Sequence, residues 1–189
     1  MKTKIFLFLI ALSSFSFKNG FVVQIDKGTK GGATVDFDAF EKLTSEVKEY
    51  RKSRLIDLEE FLKMSKETNT LILDTRSTEM YNKKHIKSAV HLNFSDFTYG
   101  NLLSTVKFYD KRILIYCNNN FVRDEEHFAT KMSIPPHGVL GDQKSVSLAL
   151  NIPTFINLYG YGFKNVYELS DLVDATSDKV EFEGTDVSK

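Results

Sequence analysis

Short apolar runs alternate with helical patterns from residue 54 to residue 173. A brief run of apolar residues that ends in polar ones is typical of a buried parallel strand. The alternation of such runs with helical segments predicts an α/β sandwich with a mostly parallel sheet. The predicted strands are 55–56, 71–74, 89–92, 113–116 and 166–169, and the predicted helices are 57–64, 78–83, one within 94–109, 124–132 and 145–158. The last of these helices is expected to start or kink at Pro153.

A separate apolar stripe lies before this region, in residues 35–51. Its members recur at three- and four-residue spacing, which predicts an amphipathic helix. The pattern leaves open whether the apolar face docks on the same chain or mediates dimerisation. The stripe consists of Phe37, Phe40, Leu43, Val47 and Tyr50.

The first sixteen residues have the pattern of a signal peptide. Lys2 and Lys4 precede an unbroken apolar run over 5–12, and small serines follow as far as Ser16. This run is well short of the roughly 20 residues that span a bilayer. We therefore expect a protein that is exported to the periplasm or the extracellular space, is cleaved near Ser16 and has no further association with a membrane.

The length and composition of the chain indicate one domain with appendages. The chain has 189 residues, 42% of them hydrophobic, and its 25 basic and 25 acidic residues give a formal net charge of zero. Without a basic excess, nucleic-acid binding is not expected. We interpret 1–16 as the signal peptide, 17–53 as an N-terminal arm and helix, 54–173 as the domain, and 174–189 as a tail with an edge strand near 180–182.

The chain contains a single cysteine, Cys117, directly after the apolar run 113–116. A lone cysteine in an exported protein is an inert buried residue, an intermolecular cross-link or a reactive thiol. In a parallel sheet, ligands bind beyond the carboxyl ends of the strands, which is where Cys117 is predicted to lie. This position favours the reactive thiol.

The loop after Cys117 carries three asparagines and an arginine. A thiolate is stabilised by N–H groups that surround it and by a following helix N-terminus. Such a ring needs residues at positive φ, which asparagine tolerates best after glycine. We therefore expect Asn118, Asn119 and Asn120 to replace glycines in an anion-binding loop, with a helix beginning at Asp124.

Arg123 has two interpretations, as a ligand for an anionic substrate or as a solvated residue at a helix start. The acidic residues Asp124, Glu125 and Glu126 follow it and would repel a dianion such as phosphate or arsenate. This repulsion favours chemistry in which the transferred group carries one charge.

Five short motifs occur in the order and spacing of a known family. They are Asp74-Thr-Arg76, Met80-Tyr81, His85-Ile-Lys-Ser-Ala89, Ile115-Tyr-Cys117 and Gly162-Phe-Lys-Asn-Val166-Tyr. Over roughly residues 54–173 they resemble the rhodanese-like (sulfurtransferase) domain, most closely its exported single-domain type in bacteria.

The resemblance implies a three-layer sandwich in which a five-stranded parallel sheet has helices on both faces. It implies that Cys117 becomes a persulfide and passes sulfur from a small donor such as thiosulfate to a thiol or other thiophilic acceptor. The substrate-binding loop would then comprise Asn118, Asn119, Asn120, Phe121, Val122 and Arg123.

The loop departs from the usual family pattern in two respects. It contains no glycine, and its arginine is six residues after the cysteine. This C-x5-R spacing instead matches the phosphatase and arsenate-reductase branch of the same fold. The resemblance therefore leaves three alternatives: a sulfurtransferase, a C-x5-R enzyme, or a non-catalytic binding module whose loop has diverged.

Other polar residues are interpreted as support for this site. We expect Asp74 and Arg76 to form a buried pair near it and His85 to be structural. His127 would act as a base only if it faced the loop. Neither a cofactor nor a metal is expected, since His91 and His137 have no partners at metal-ligand spacing.

Overall fold

A five-stranded, all-parallel sheet forms the centre of the protein. The computed structural model describes residues 35–133 and 145–187. The strand order is β1-β7-β5-β2-β4, so that β5 is the middle strand. The strands are β1 (Leu55–Ile56), β2 (Thr70–Asp74), β4 (Val90–His91), β5 (Arg112–Tyr116) and β7 (Val166–Leu169).

Helices cover both faces of this sheet. Because side chains alternate across a strand, Leu71 and Leu73 of β2 pack with α1, α4 and α5, whereas Ile72 packs with α2 and α3. The predicted fold class is therefore confirmed. The helices are α1 (Phe37–Arg51), α2 (Leu58–Ser65), α3 (Thr78–Lys83), α4 (Tyr99–Val106) and α5 (Asn151–Gly160).

Two small pairs of strands extend the second face. β3 (His85–Ile86) pairs antiparallel with β9 (Phe182–Glu183), and β6 (Phe121–Val122) pairs parallel with β8 (Val173–Asp174). The edge strand predicted near 180–182 is thus β9. It ties the C-terminal tail to the end of α3.

The N-terminal helix docks on the same chain. Val47 of α1 is buried, and Leu43 and Tyr50 pack against the same core as Phe155 of α5. The two helices approach closely at Gly160, where an added Cβ would lie 3.0 Å from Leu43 Cδ2. In the structure the apolar stripe therefore docks on the same chain, which is the first of its two interpretations.

The helix predicted over 124–132 does not form. The chain makes one turn over 125–127, closed by a bond from the Phe128 N–H to the Asp124 carbonyl, and then leaves the helical path. The residues that would continue the helix pair with a distant segment instead, and Met132 forms an antiparallel β-bridge with Ser147. Tertiary pairing overrides the local helical pattern.

The helix predicted within 145–158 starts close to Pro153, the first of the two alternatives predicted for it. The segment 145–149 pairs with 131–133, and α5 begins at Asn151. Pro153 then lies in the first turn, where the missing N–H removes no intrahelical bond. The predicted signal peptide and arm as far as residue 34, and most of the loop predicted over 133–144, lie outside the described residues. No helix in the described ranges is long and apolar enough to cross a membrane.

Candidate functional site around Cys117

Cys117 lies at the carboxyl end of the middle strand. Its side chain is fully buried, and its Sγ accepts a hydrogen bond from the Leu150 N–H at 3.2 Å. Leu150 is the N-cap residue of α5 and has no side-chain cap of its own. The positive end of this helix therefore meets the sulfur. A helix N-terminus does contribute to the site, but it is α5 rather than the predicted helix after Asp124.

The three asparagines do not replace glycines. Asn118, Asn119 and Asn120 form one 3-10 turn, and none of them is among the described residues with positive φ. In this loop only Arg123 adopts that conformation, with φ 66°. The expectation of asparagines at positive φ is wrong, because the loop turns here as a 3-10 helix, whose residues have negative φ.

Asn120 is the central residue of this arrangement. Its Oδ1 accepts from the Cys117 N–H at 2.9 Å, and its Nδ2 donates to the Leu169 and Asp171 carbonyls at 2.8 and 3.2 Å. An N–H can only donate and a carbonyl can only accept, so these partners fix the orientation of the amide. Asn120 therefore ties the start of the cysteine loop to the end of β7.

The other two asparagines differ in their contacts. Asn119 exchanges hydrogen bonds with the Lys131 backbone and also donates to Ser147 Oγ. Asn118 is buried, and its Oδ1 has no partner among the described residues. Asn119 thus joins the loop to the segments on either side of residues 134–144.

The end of the loop packs away from the sulfur. Phe121 is buried against Phe128, with ring centroids 4.3 Å apart, and Val122 pairs with Asp174. The Arg123 side chain is 74% exposed and approaches Asp174 Oδ2 at 3.4 Å. In the structure Arg123 is therefore a solvated residue, which is the second of its two interpretations.

Asp74 and Arg76 form the buried pair that was predicted. Arg76 Nε contacts both carboxylate oxygens, and Nη2 lies 2.6 Å from Oδ2. The Tyr116 hydroxyl donates to the same carboxylate. Burial first, and then the Asp74 charge, raise the pKa of Tyr116 well above its usual value, so this hydroxyl stays a neutral donor. The pair holds the residue immediately before Cys117.

His85 has a structural position. Its Nδ1 lies 2.6 Å from the Tyr81 carbonyl, which can only accept, so Nδ1 donates this hydrogen bond. Its ring stacks on the Tyr81 ring with the two ring centroids 3.8 Å apart, and its Nε2 lies 3.3 Å from Glu183 Oε1. His85 therefore joins α3 to β9.

His127 faces away from the loop, into a cluster of charges. Its Nδ1 lies 2.7 Å from Asp124 Oδ1, its Nε2 lies 3.2 Å from Asp186 Oδ2, and Lys84 Nζ lies 2.8 Å from Asp124 Oδ2. With both ring nitrogens occupied, His127 is not placed to act as a base on Cys117. The two aspartates bind different nitrogens, and no group of three or more potential ligands in the described ranges is arranged to hold a metal ion.

The comparisons with known proteins show the family to which this chain belongs. The model of the rhodanese-like domain matches residues 57–171, more than half of the chain. The chain belongs to the rhodanese-like domain family. No curated protein matched it. Among solved structures, the BH2092 protein from Bacillus halodurans matches with a TM-score of 0.47 and 17% identity, covering 79% of this chain and 88% of that one.

Three residues of this rhodanese-like site were missed at the level of sequence. The Leu150 N–H is a backbone group 33 residues from Cys117, and no pattern of side chains predicts its contact with the sulfur. Asn151 follows it and looks in the sequence like an ordinary polar residue, although its Nδ2 donates to both Asn120 Oδ1 and Glu168 Oε1. Glu168 did leave a signal, because it is a single charged residue inside the apolar run 166–169.

The cluster around His127 generates a prediction about pH. Burial would lower the pKa of His127, but its bonds to Asp124 and Asp186 outweigh this effect and raise the pKa above 6.5. A raised pKa means that the stabilisation is complete below the unfolded-state value and is lost as the pH rises through the folded-state value.

We therefore expect His127→Asn to reduce the free energy of unfolding by about 0.5–1 kcal/mol at pH 6 and by clearly less at pH 9. Urea denaturation of both proteins at the two pH values measures this difference. Both aspartates remain ionised over this range. Burial alone would raise the pKa of Asp124, but its bonds with Lys84 and His127 outweigh this effect. Hydrogen bonds with Thr185 and His127 lower the pKa of Asp186. A loss that is equal at both pH values would contradict the ionic role of His127.

Proposed function

We propose that this rhodanese-like protein is a sulfurtransferase that carries sulfur as a persulfide on Cys117. The observation that carries this proposal is the position of Sγ, at the end of the middle strand and 3.2 Å from the N–H that precedes α5. A hydrogen bond to the charged form of a thiol favours that form. The thiolate is the species that attacks a sulfur donor.

The reaction balances without a metal or a redox partner. The Cys117 thiolate attacks the outer sulfur of a donor such as thiosulfate and forms a new S–S bond. The S–S bond within the donor breaks, and its electron pair leaves with sulfite. A thiolate acceptor then attacks the outer sulfur of the persulfide, and the electron pair of that bond returns to Cys117.

The charge of the loaded site favours sulfur transfer over phosphate chemistry. A persulfide adds no charge to the thiolate that it replaces, whereas phosphate or arsenate brings two negative charges. The one arginine of the C-x5-R spacing, Arg123, is directed toward Asp174 and solvent. The described part of the loop therefore offers no guanidinium to balance a dianionic group held on Cys117. Thiosulfate is also a dianion, but it leaves only one negative charge on Cys117 once sulfite has departed.

A non-catalytic binding module is the second candidate, and one observation favours it. Cys117 has no exposed surface, so a donor reaches its sulfur only if the surrounding chain opens. The groove between the start of α2 and β8, lined by Asp57, Leu62 and Asp174, would then be the part that contacts a partner. Reaction of Cys117 with a donor separates the two candidates.

We expect thiosulfate to add one sulfur atom to the wild-type protein at Cys117. Because the chain has a single cysteine, Cys117→Ser leaves no thiol for this reaction. Intact-mass spectrometry after treatment with the donor, followed by peptide mapping, measures the adduct. A wild-type protein that folds but gains no sulfur, or a Cys117→Ser variant that gains as much, would favour the binding module.

Replacement of Arg123 separates the sulfurtransferase from a C-x5-R enzyme. Because its side chain is exposed and contacts only Asp174 among the described charged groups, Arg123→Ala should change the rate of persulfide formation by less than about twofold. The rate is followed by mass spectrometry under the same conditions for both proteins. If the wild type hydrolyses an aryl phosphate and Arg123→Ala abolishes this activity, the sulfurtransferase proposal is contradicted.

We further propose that the protein works outside the cytoplasm, on a small sulfur donor and a thiol acceptor. The basic and apolar pattern of residues 1–16 supports export. Mass spectrometry of the mature N-terminus after expression of the full chain should show cleavage near Ser16. Recovery of the protein with Met1 intact would contradict export.

A further inference from the structure

A row of polar side chains, buried except for the half-buried Arg51, links α1 to the backbone of Cys117. Arg51, the last residue of α1, donates from Nε and Nη2 to the two carboxylate oxygens of Glu168, each at 2.5 Å. Asn151 Nδ2 donates to Glu168 Oε1 at 3.0 Å and to Asn120 Oδ1 at 3.2 Å. The same Asn120 oxygen accepts the Cys117 N–H.

Glu168 gives this row a single orientation. A carboxylate can only accept, so Asn151 must present its two Nδ2 hydrogens, one to Glu168 and the other to Asn120. Asn120 must then present its oxygen, which is also what the Cys117 N–H requires. The hydrogen-bond directions therefore agree from the carboxylate to the cysteine.

Asn151 also controls the other partner of the sulfur. It is the first residue of α5 and follows Leu150, whose N–H meets Sγ. Glu168, through Asn151, thus holds the helix start that donates to the sulfur. Through Asn120 it also holds the backbone of the residue that carries the sulfur.

The charge of Glu168 is balanced by a residue outside the part of the chain that the family model matches. It is 3% exposed in β7, and a buried carboxylate without a partner is strongly unfavourable. Its cation comes from Arg51, which precedes the matched residues 57–171. The docking of α1 therefore completes the polar row.

We propose that Glu168, with Arg51, is a positioning residue for Cys117, holding Asn151 and Asn120 so that the Leu150 N–H stays on the sulfur. This inference rests on the proposed function only in taking Sγ as the reactive atom. Its geometric content is independent of whether a persulfide forms.

The test is the titration of the thiolate, followed by its ultraviolet absorbance in the full chain. Cys117→Ser has the same tyrosines, so its titration supplies the background. Glu168→Ala should raise the pH midpoint of thiolate formation by about one unit, a tenfold loss of thiolate below the midpoint. A carboxylate that acted only through its charge would give the opposite sign, since removal of a nearby negative charge favours the thiolate.

A double variant serves as the rescue. Arg51→Met combined with Glu168→Gln removes both charges and keeps an oxygen acceptor for Asn151, and exchange of a buried ion pair for neutral groups is often tolerated. We expect its midpoint to lie close to that of the wild type. If Glu168→Ala does not fold, Asn151→Ala takes its place in the titration, and we expect the same rise in the pH midpoint of thiolate formation.

Glu67→Gln is the matched control, because it breaks the pair with Arg112 at the opposite end of β5 and should leave the midpoint unchanged. An unchanged or lower midpoint in Glu168→Ala, or a double variant as perturbed as Glu168→Ala, overturns the positioning role. If the midpoints shift as expected while the wild type forms no persulfide, the positioning role stands and the sulfurtransferase proposal fails.

Discussion

The structure around Cys117 depends on how the carboxyl end of β5 satisfies its polar groups. A buried strand cannot end in the interior without partners for its N–H and carbonyl groups, because each unpaired one costs about 1–3 kcal/mol. Here one amide meets this demand. Asn120 accepts from the Cys117 N–H and donates to the Leu169 and Asp171 carbonyls, so that the ends of β5 and β7 are joined by a single side chain.

The contacts of the sulfur lie next to this link. The Asn120 side chain bonds to the backbone of Cys117, Leu169 and Asp171, and the Leu150 N–H reaches the sulfur from the start of α5. The neighbouring strand is held in a similar way, by the Asp74–Arg76 pair under Tyr116. Buried ion pairs are weak evidence of stability but can fix one arrangement of groups. In this chain the carboxylates of the two pairs, Asp74 and Glu168, lie on the strands that flank β5.

Much of the fold was predictable from local pattern. The apolar runs of β2, β5 and β7 and the stripe of α1 were identified at nearly their observed positions, because periodicity reflects which side chains are buried. The helix predicted after Asp124 failed where residues 131–133 pair with 145–149. A partner more than ten residues away does not register in a local pattern.

The candidate site was predictable in location and less so in contacts. The lone cysteine after an apolar run identified the end of β5. The partners of its sulfur and backbone did not follow from sequence, since Leu150 lies 33 residues from Cys117 and Arg51 lies 117 residues from Glu168. The three asparagines were predicted to replace glycines around an anion, whereas in the fold the side chains of Asn119 and Asn120 bond to the backbone.

The most direct test of the central claim is delivery of the sulfur rather than its loading. Protein treated with thiosulfate and freed from excess donor is mixed with cyanide, and the thiocyanate that forms is measured. If sulfur is carried on Cys117, the wild type yields about one equivalent per chain, because the chain has one cysteine, and Cys117→Ser yields none. No thiocyanate from folded wild-type protein, or equal amounts from both proteins, would contradict this account.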